Sequence, residues 1–205
     1  YKYKKEKGIP LDSEIVLCVA RIDPVKRHEE LLKAFSIIKK ERQNVKLVCV
    51  GNGSISNDVL GIRMQRKAEI MKLVKKLELE NDTIFLGHVP HEDIPKVYRM
   101  ADVVVLPSLM EGFGLSLTEA MAAEKPVVAY NVGGIVTQIE NGFNGFLIEK
   151  GNFEELAEKT CELLSNEELK RIMGKRAKQV VEKKFDVRKA ADKYLKLYQE
   201  AINGR

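Results

Sequence analysis

Six short, largely apolar segments recur along the chain, each followed by a helix-sized stretch. They are Glu14 to Ala20 (EIVLCVA), Val45 to Val50 (VKLVCV), Thr83 to Leu86, Val103 to Leu106, Pro126 to Tyr130 and Gly145 to Ile148. Strands that are apolar on both faces need cover on both faces, and parallel sheets built from βαβ crossovers supply it. Between the strands, His28 to Arg42 carries Leu31, Leu32, Phe35 and Ile38 at helical spacing. Met64 to Leu79 does the same with Ile70, Leu73, Val74 and Leu77. Shorter helices are read at His91 to Met100 and Leu115 to Ala123, and residues 152–164, 166–184 and 186–202 all read helical. The expected fold class is α/β: a doubly wound, Rossmann-like three-layer α/β/α domain. Its parallel sheet has about six strands, and its C-terminal third is a helical cap.

The 205 residues suffice for one domain with a proper core. Residues 1–10 read as a linker, basic and loose, closing on Gly8-Ile9-Pro10, and residues 11–205 as the domain. With 44% hydrophobic and 32% charged residues, disorder and low complexity are excluded. No apolar run approaches the roughly 18 residues of a membrane span. The start, Tyr1-Lys2-Tyr3-Lys4-Lys5, lacks the apolar stretch of a signal peptide. Cys18, Cys49 and Cys161 are odd in number and show no metal-like spacing, so buried reduced thiols in a cytoplasmic protein are expected. His28, His88 and His91 are equally sparse, which argues against a structural zinc site. The net charge of +5 is uneven: residues 1–100 hold 20 Lys and Arg against 14 Asp and Glu, the remainder 15 against 16. That bias suits a small anionic ligand such as a phosphate. Aromatics are only 6%, Trp is absent and no aromatics interleave with the basic residues, which argues against nucleic acid.

Ala20-Arg21-Ile22-Asp23-Pro24-Val25-Lys26 follows the first strand where a dinucleotide-binding protein places G-x-G-x-x-G. The glycines are absent, so an NAD-type pyrophosphate loop is excluded. Two cations instead lie five residues apart across a turn stiffened by Pro24. An Arg fork binds phosphate oxygens bidentately and a Lys adds a mobile point charge, so the pair can grip a diphosphate. On spacing alone, a solvated loop with two ordinary surface cations fits equally.

Glu111-Gly112-Phe113-Gly114-Leu115-Ser116-Leu117-Thr118-Glu119 follows the strand that Pro107 ends. Gly112 and Gly114 let the backbone approach a ligand. A helix starting near Leu115 turns free N–H groups and its dipole toward that point, an anion site. Glu119, about one turn in, can accept two hydrogen bonds from a ribose diol, and Glu111 can serve sugar hydroxyls. Two carboxylates beside an anion site suit a ligand that offers both phosphates and diols. The plainer alternative is that Glu119 only complements the helix dipole and Glu111 is a loop charge.

Taken in order, several motifs run along the chain. They are Arg21-x4-Lys26, Gly51-Asn52-Gly53, Phe85-Leu86-Gly87-His88-Val89, Ala101-Asp102-Val103, Leu106-Pro107-Ser108, Glu111-x7-Glu119 and Ala120-Met121-Ala122. Lys125 to Ala129, Val132-Gly133-Gly134 and Asn144 to Ile148 continue the series. From about residue 12 to 165 the set resembles the C-terminal, donor-binding domain of the group 1 glycosyltransferases (glycosyltransferase family 4, GT-B fold). The resemblance implies that Arg21 and Lys26 grip the donor diphosphate. It implies that the amides of Gly112, Phe113, Gly114, Leu115 and Ser116 meet the phosphates and sugar. Glu111 would bind donor-sugar hydroxyls, Glu119 the ribose, and Val89 with Ile94 the base. It further implies transfer of a hexosyl group from a UDP- or GDP-sugar with retention, without metal or cofactor, Arg21, Lys26 and Glu111 carrying the chemistry. The acceptor-binding N-terminal domain, with its catalytic histidine, lies outside this chain; a helical tail usually crosses back to it, and membrane association is expected only through the full-length protein. His88 and His91 then read as loop residues.

Three departures stand out. Glu124 occupies a position where the family usually has Gly, Val136-Thr137 replaces a common Pro-Glu, and the loop from Ser54 to Arg63 is enlarged. None touches the diphosphate grip. A nucleotide-sugar-binding module without chemistry and a sugar-nucleotide epimerase of the GT-B fold are the alternatives, and the intact Arg-x4-Lys and E-x7-E favour the transferase.

Overall fold

The computed structural model describes residues 2–52 and 62–204, the first four of the second stretch by their backbone alone. The enlarged loop expected over 54–63 lies outside the described residues except Ile62 and Arg63, which open a helix. Six parallel strands form one sheet: β1 (Glu14–Val19), β2 (Val45–Val50), β3 (Thr83–Gly87), β4 (Val103–Leu106), β5 (Val127–Tyr130) and β6 (Phe146–Ile148), in the order β3-β2-β1-β4-β5-β6. The chain works outward from β1 to one edge, then returns to the other side of β1 and works outward again. The sheet therefore has a switch point between β1 and β4, where the connections leave in opposite directions and open a crevice at the strands' C-terminal ends.

The helices that cover it are α1 (Lys2–Glu6), α2 (His28–Glu41), α3 (Ile62–Lys76), α4 (Ile94–Met100), α5 (Leu115–Ala122), α6 (Phe153–Ser165), α7 (Glu167–Lys184) and α8 (Val187–Ile202). One layer packs α2 against α3 and α6; the other packs α5 against α4 and α7, with α1 on α4. Every residue of β4 and β5 is buried, as the two-faced apolar pattern requires. The helix boundaries follow their caps. Asn152 accepts from the Glu155 amide and Asn166 from the Leu169 amide, so the chain breaks and restarts between α6 and α7. At the bottom of the switch point, the Asp102 carboxylate accepts from the Ile15 amide at 2.8 Å, tying β4 to β1.

Two expectations change. Within the expected linker of residues 1–10, Lys2 to Glu6 form a helix rather than a loose stretch, because Tyr3 and Ile9 find the apolar edge of the domain and bury there. The C-terminal cap is also not uniform. Helices α6 and α7 pack on the domain, whereas α8 buries none of its residues. Val187, Tyr194, Leu195, Leu197, Tyr198 and Ile202 of α8 stand exposed. Cys18, Cys49 and Cys161 are buried free thiols, and burial pushes the pKa of Cys18 up to about 12. Among the described residues no helix is long and apolar enough to cross a membrane.

Candidate functional site

The turn after β1 is built by its own side chains. Asp23 accepts from the amides of Val25 and Lys26 at 3.0 and 3.2 Å, closing a single helical turn over Pro24–Lys26. Arg27 then takes a left-handed backbone (φ 50°), an unfavourable conformation for a residue with a Cβ, and its guanidinium is held by Glu29 and Glu30. This geometry aims Lys26 across the switch point. Its ammonium reaches Oε1 of Glu111 at 2.5 Å, and Ser108 Oγ donates to the same oxygen at 2.8 Å. The two loops are also joined by backbone, Leu109 N–H donating to Val25 O at 2.8 Å. The cation after β1 and the carboxylate after β4 thus meet over the crevice, both mostly buried at 17% and 11% exposure.

Arg21 is placed differently from Lys26. Its side chain is 60% exposed, with Asp23 3.6 Å away. It emerges where β1 and β2 run close: Ala20 and Ile22 donate to the carbonyls of Val50 and Asn52. Only glycine fits at 51, since a Cβ there would lie 2.3 Å from the Ala20 carbonyl oxygen.

The Glu111 to Ser116 loop is supported from behind by the glycines after β5. Gly134 N–H donates to Glu111 O at 2.9 Å, and a Cβ on Gly133 or Gly134 would come within 2.1 Å of the Glu111 or Gly112 carbonyl. Gly114 adopts φ 88° and starts α5, whose N-terminus faces the same crevice end of the sheet. The Phe113 ring packs edge-on against Phe185 at 5.2 Å.

Glu119 belongs to a second, adjoining compartment. Tyr98, almost fully buried on α4, donates its hydroxyl to Glu119 Oε2 at 2.8 Å. Burial, with the Glu119 carboxylate facing it, raises the Tyr98 pKa far above that of an ordinary phenol, so it stays a donor. Tyr98, Glu119, Ile94, His91 and Lys178 line a cavity of about 620 Å³ between α4 and α5. Val89 is buried just beyond β3. His88 and His91 are exposed; His88 lies in the loop after β3, whereas His91 opens the single helical turn His91–Asp93. His28 is instead buried after the Lys26 turn, neither ring nitrogen having a hydrogen-bond partner among the described residues, and burial lowers its pKa to about 4.

The structure brings Lys26, Glu111 and the Gly112–Ser116 loop to one crevice and Glu119 with Ile94 to one cavity. Sequence reasoning missed Tyr98, Ser108 and Gln138, which touch these groups. Tyr98 and Gln138 come from 21 or more residues away, and no local motif marks them. Among the described residues no three His, Cys, Asp or Glu side chains gather where a metal ion could sit.

The sequence profile of "Glycosyl transferases group 1" matches residues 2–180. The chain belongs to that family. As a group 1 chain it is 34% identical over 199 residues to N-acetyl-alpha-D-glucosaminyl L-malate synthase of Bacillus anthracis, covering 97% of this chain and 49% of the relative. It spans about half the length of the curated relatives it matches. Among solved structures it resembles Anabaena Alr3699/HepE in complex with UDP and glucose, with a TM-score of 0.86 and 26% identity over 97% of this chain and 51% of that one. It also resembles the C-terminal domain of the group 1 protein LpcC from Francisella tularensis, with a TM-score of 0.78 and 28% identity over 91% of this chain and 92% of that one. The parallel six-stranded group 1 domain is thus the Rossmann-like unit found in GT-B neighbours.

Proposed function

We propose that this chain is the donor-binding half of a glycosyltransferase, of glycosyltransferase family 4, that moves a hexosyl group from a UDP- or GDP-sugar to an acceptor with retention and without a metal. One observation carries the reading: Lys26 and Glu111 meet over the β1/β4 switch point, beside the N-terminus of α5. A donor diphosphate in that crevice takes charge-assisted contacts from Lys26 and Arg21 and amide contacts from Gly112 to Ser116. The same cations stabilise the negative charge that grows on the leaving diphosphate as the glycosidic bond breaks, the part a metal plays elsewhere. Glu111 faces the sugar hydroxyls. The ribose meets Glu119 and the base lies against Val89 and Ile94 in the adjoining cavity. That relatives were solved with UDP and with UDP-glucose supports a nucleotide-sugar donor.

The acceptor and the remaining chemistry belong to a second domain. The exposed apolar face of α8, and a chain about half the length of its relatives, support a partner domain packed there. The full-length protein is read as cytoplasmic. Calorimetric titration with UDP, GDP and UDP-glucose, each with and without EDTA, tests the reading. Binding of a nucleoside diphosphate unchanged by EDTA is expected. Binding abolished by EDTA sinks metal independence, and binding of none of the three sinks the donor site.

A further inference from the structure

Gln138 lies just past the helical turn Gly133–Thr137 and is 1% exposed. Its side-chain amide faces the loop in front of it. Nε2 donates to the Phe113 carbonyl, while Oε1 accepts from Thr118 Oγ1 at 2.7 Å. Its backbone is fixed as well: Gln138 N–H donates to Ile135 O at 3.0 Å, and Gln138 O accepts from the fully buried Asn144 at 2.9 Å. The Phe113 carbonyl sets the orientation of the carboxamide, because it can only accept and so takes the NH₂; the Thr118 hydroxyl, able to donate or accept, then donates to the oxygen. A carboxamide suits these two partners. A carboxylate would offer the Phe113 carbonyl no donor, and an aliphatic chain would offer neither group anything. Gly114 is called for by its backbone, at φ 88°; a Cβ there would meet Gln138 Nε2 and Ile135 only at ordinary contact distances of 3.5 and 3.4 Å.

The Phe113–Gly114 peptide is planar and trans, so its C=O and N–H point in opposite directions. A carbonyl drawn back toward Gln138 sends the Gly114 N–H forward, away from the brace and to the crevice side. A peptide turned the other way would present an oxygen there, a negative dipole end facing phosphate. We propose that Gln138 is a positioning residue that holds this peptide with its amide toward the donor phosphates, an inference that rests on the donor-site reading above. Gln138 touches neither phosphate nor sugar; it fixes the sign of the dipole that does.

The test uses the ¹⁵N-labelled chain titrated with the tighter-binding of UDP and GDP, and with the matching nucleoside. In the wild type the Gly114 amide resonance is expected to move with the diphosphate and to stay put with the nucleoside. Gln138→Met, close in size but without a donor, should bind the diphosphate about tenfold more weakly, bind the nucleoside unchanged, and lose the Gly114 response. Gln138→Glu should behave like Gln138→Met, which separates the lost donor from lost packing. Thr118→Val frees the carboxamide from its other end and should give a smaller loss of the same kind, so the proposal remains open to refutation even if the Gln138 variants fail to fold. Variants that bind the diphosphate as the wild type does, with Gly114 still responding, overturn it. A wild-type chain that ignores both diphosphates overturns the donor-site reading itself, a distinguishable failure.

Discussion

Glu111 and Glu119 are separated by seven residues and the first turn of α5, and their carboxylates have unlike partners. Glu111 is paired with a cation, Lys26, and takes a hydroxyl hydrogen bond on the same oxygen. Glu119 is held by a neutral donor, the Tyr98 phenol, at the wall of a cavity. Paired with Lys26, the first carboxylate brings little net charge to the crevice; the second lines a cavity that Arg99 and Lys178 also line. On the donor-site reading proposed above, the pairing lets Glu111 stand beside bound phosphate without spoiling the site. Electrostatic setting, more than spacing, divides the labour between them.

The largest expected effect concerns the support under Lys26. His28 is neutral when folded, with a pKa of about 4, against about 6.5 in an unfolded chain. Between those values the unfolded state holds more protons, so stability is full above about pH 6.5 and falls as the pH drops toward 4, by about 3 kcal/mol. Denaturant unfolding of wild type and His28→Leu at pH 7.5, 6 and 5 checks this. The wild type should lose stability relative to His28→Leu as the pH falls, and parallel curves would refute it.

Next comes the pair itself. Lys26→Ala should weaken UDP binding by about 1.5–3 kcal/mol, because it removes a donor and exposes phosphate to an uncompensated Glu111. Adding Glu111→Gln should restore part of the loss. A double variant that binds no better than Lys26→Ala would show that the Glu111 charge is not felt in the crevice, and would break the comparison.

The carboxylates are then separated by ligand. Glu119→Ala should weaken UDP and UDP-hexose alike, about tenfold, whereas Glu111→Ala should remove the advantage of the UDP-hexose over UDP by a similar factor. An unchanged sugar increment in Glu111→Ala would reassign that residue to a loop charge. The smallest effect belongs to Tyr98→Phe, worth about 1 kcal/mol in UDP affinity and nothing for a 2′,3′-dideoxy analogue, which has no diol for Glu119 to receive. An equal loss for both ligands would make Tyr98 a packing residue only.

Much of this was legible in the chain. The strands announced themselves by being apolar on both faces, and Lys26 of Arg-x4-Lys and Glu111 of E-x7-E, each fixed locally just past a strand end, are the members that meet over the crevice. What stayed hidden depends on topology. Lys26 and Glu111 are 85 residues apart, and their contact follows from β4 lying beside β1, which no local pattern dictates. Tyr98 reads as one more apolar residue of α4, and Gln138 as a polar residue of a loop. Gly133-Gly134 was visible as a motif, but its reason, close approach to the Glu111 and Gly112 carbonyls, belongs to tertiary packing. The opening helix was misread because four charged residues outweigh a single Tyr3 until the surface that buries it is known.

The strand order also has a consequence in time. β1 gains its β2 neighbour early, but its other edge waits for β4, 87 residues later. At roughly 5–20 residues per second of synthesis, that leaves the edge of an almost wholly buried strand without its partner for about 4–17 s. A nascent chain stopped before Val103 would carry an open, apolar edge at the centre of its future sheet, the kind of surface that chaperones bind and that seeds aggregation. Birth of this domain on the ribosome is therefore its most exposed moment, and it ends when the segment that brings Glu111 to Lys26 arrives.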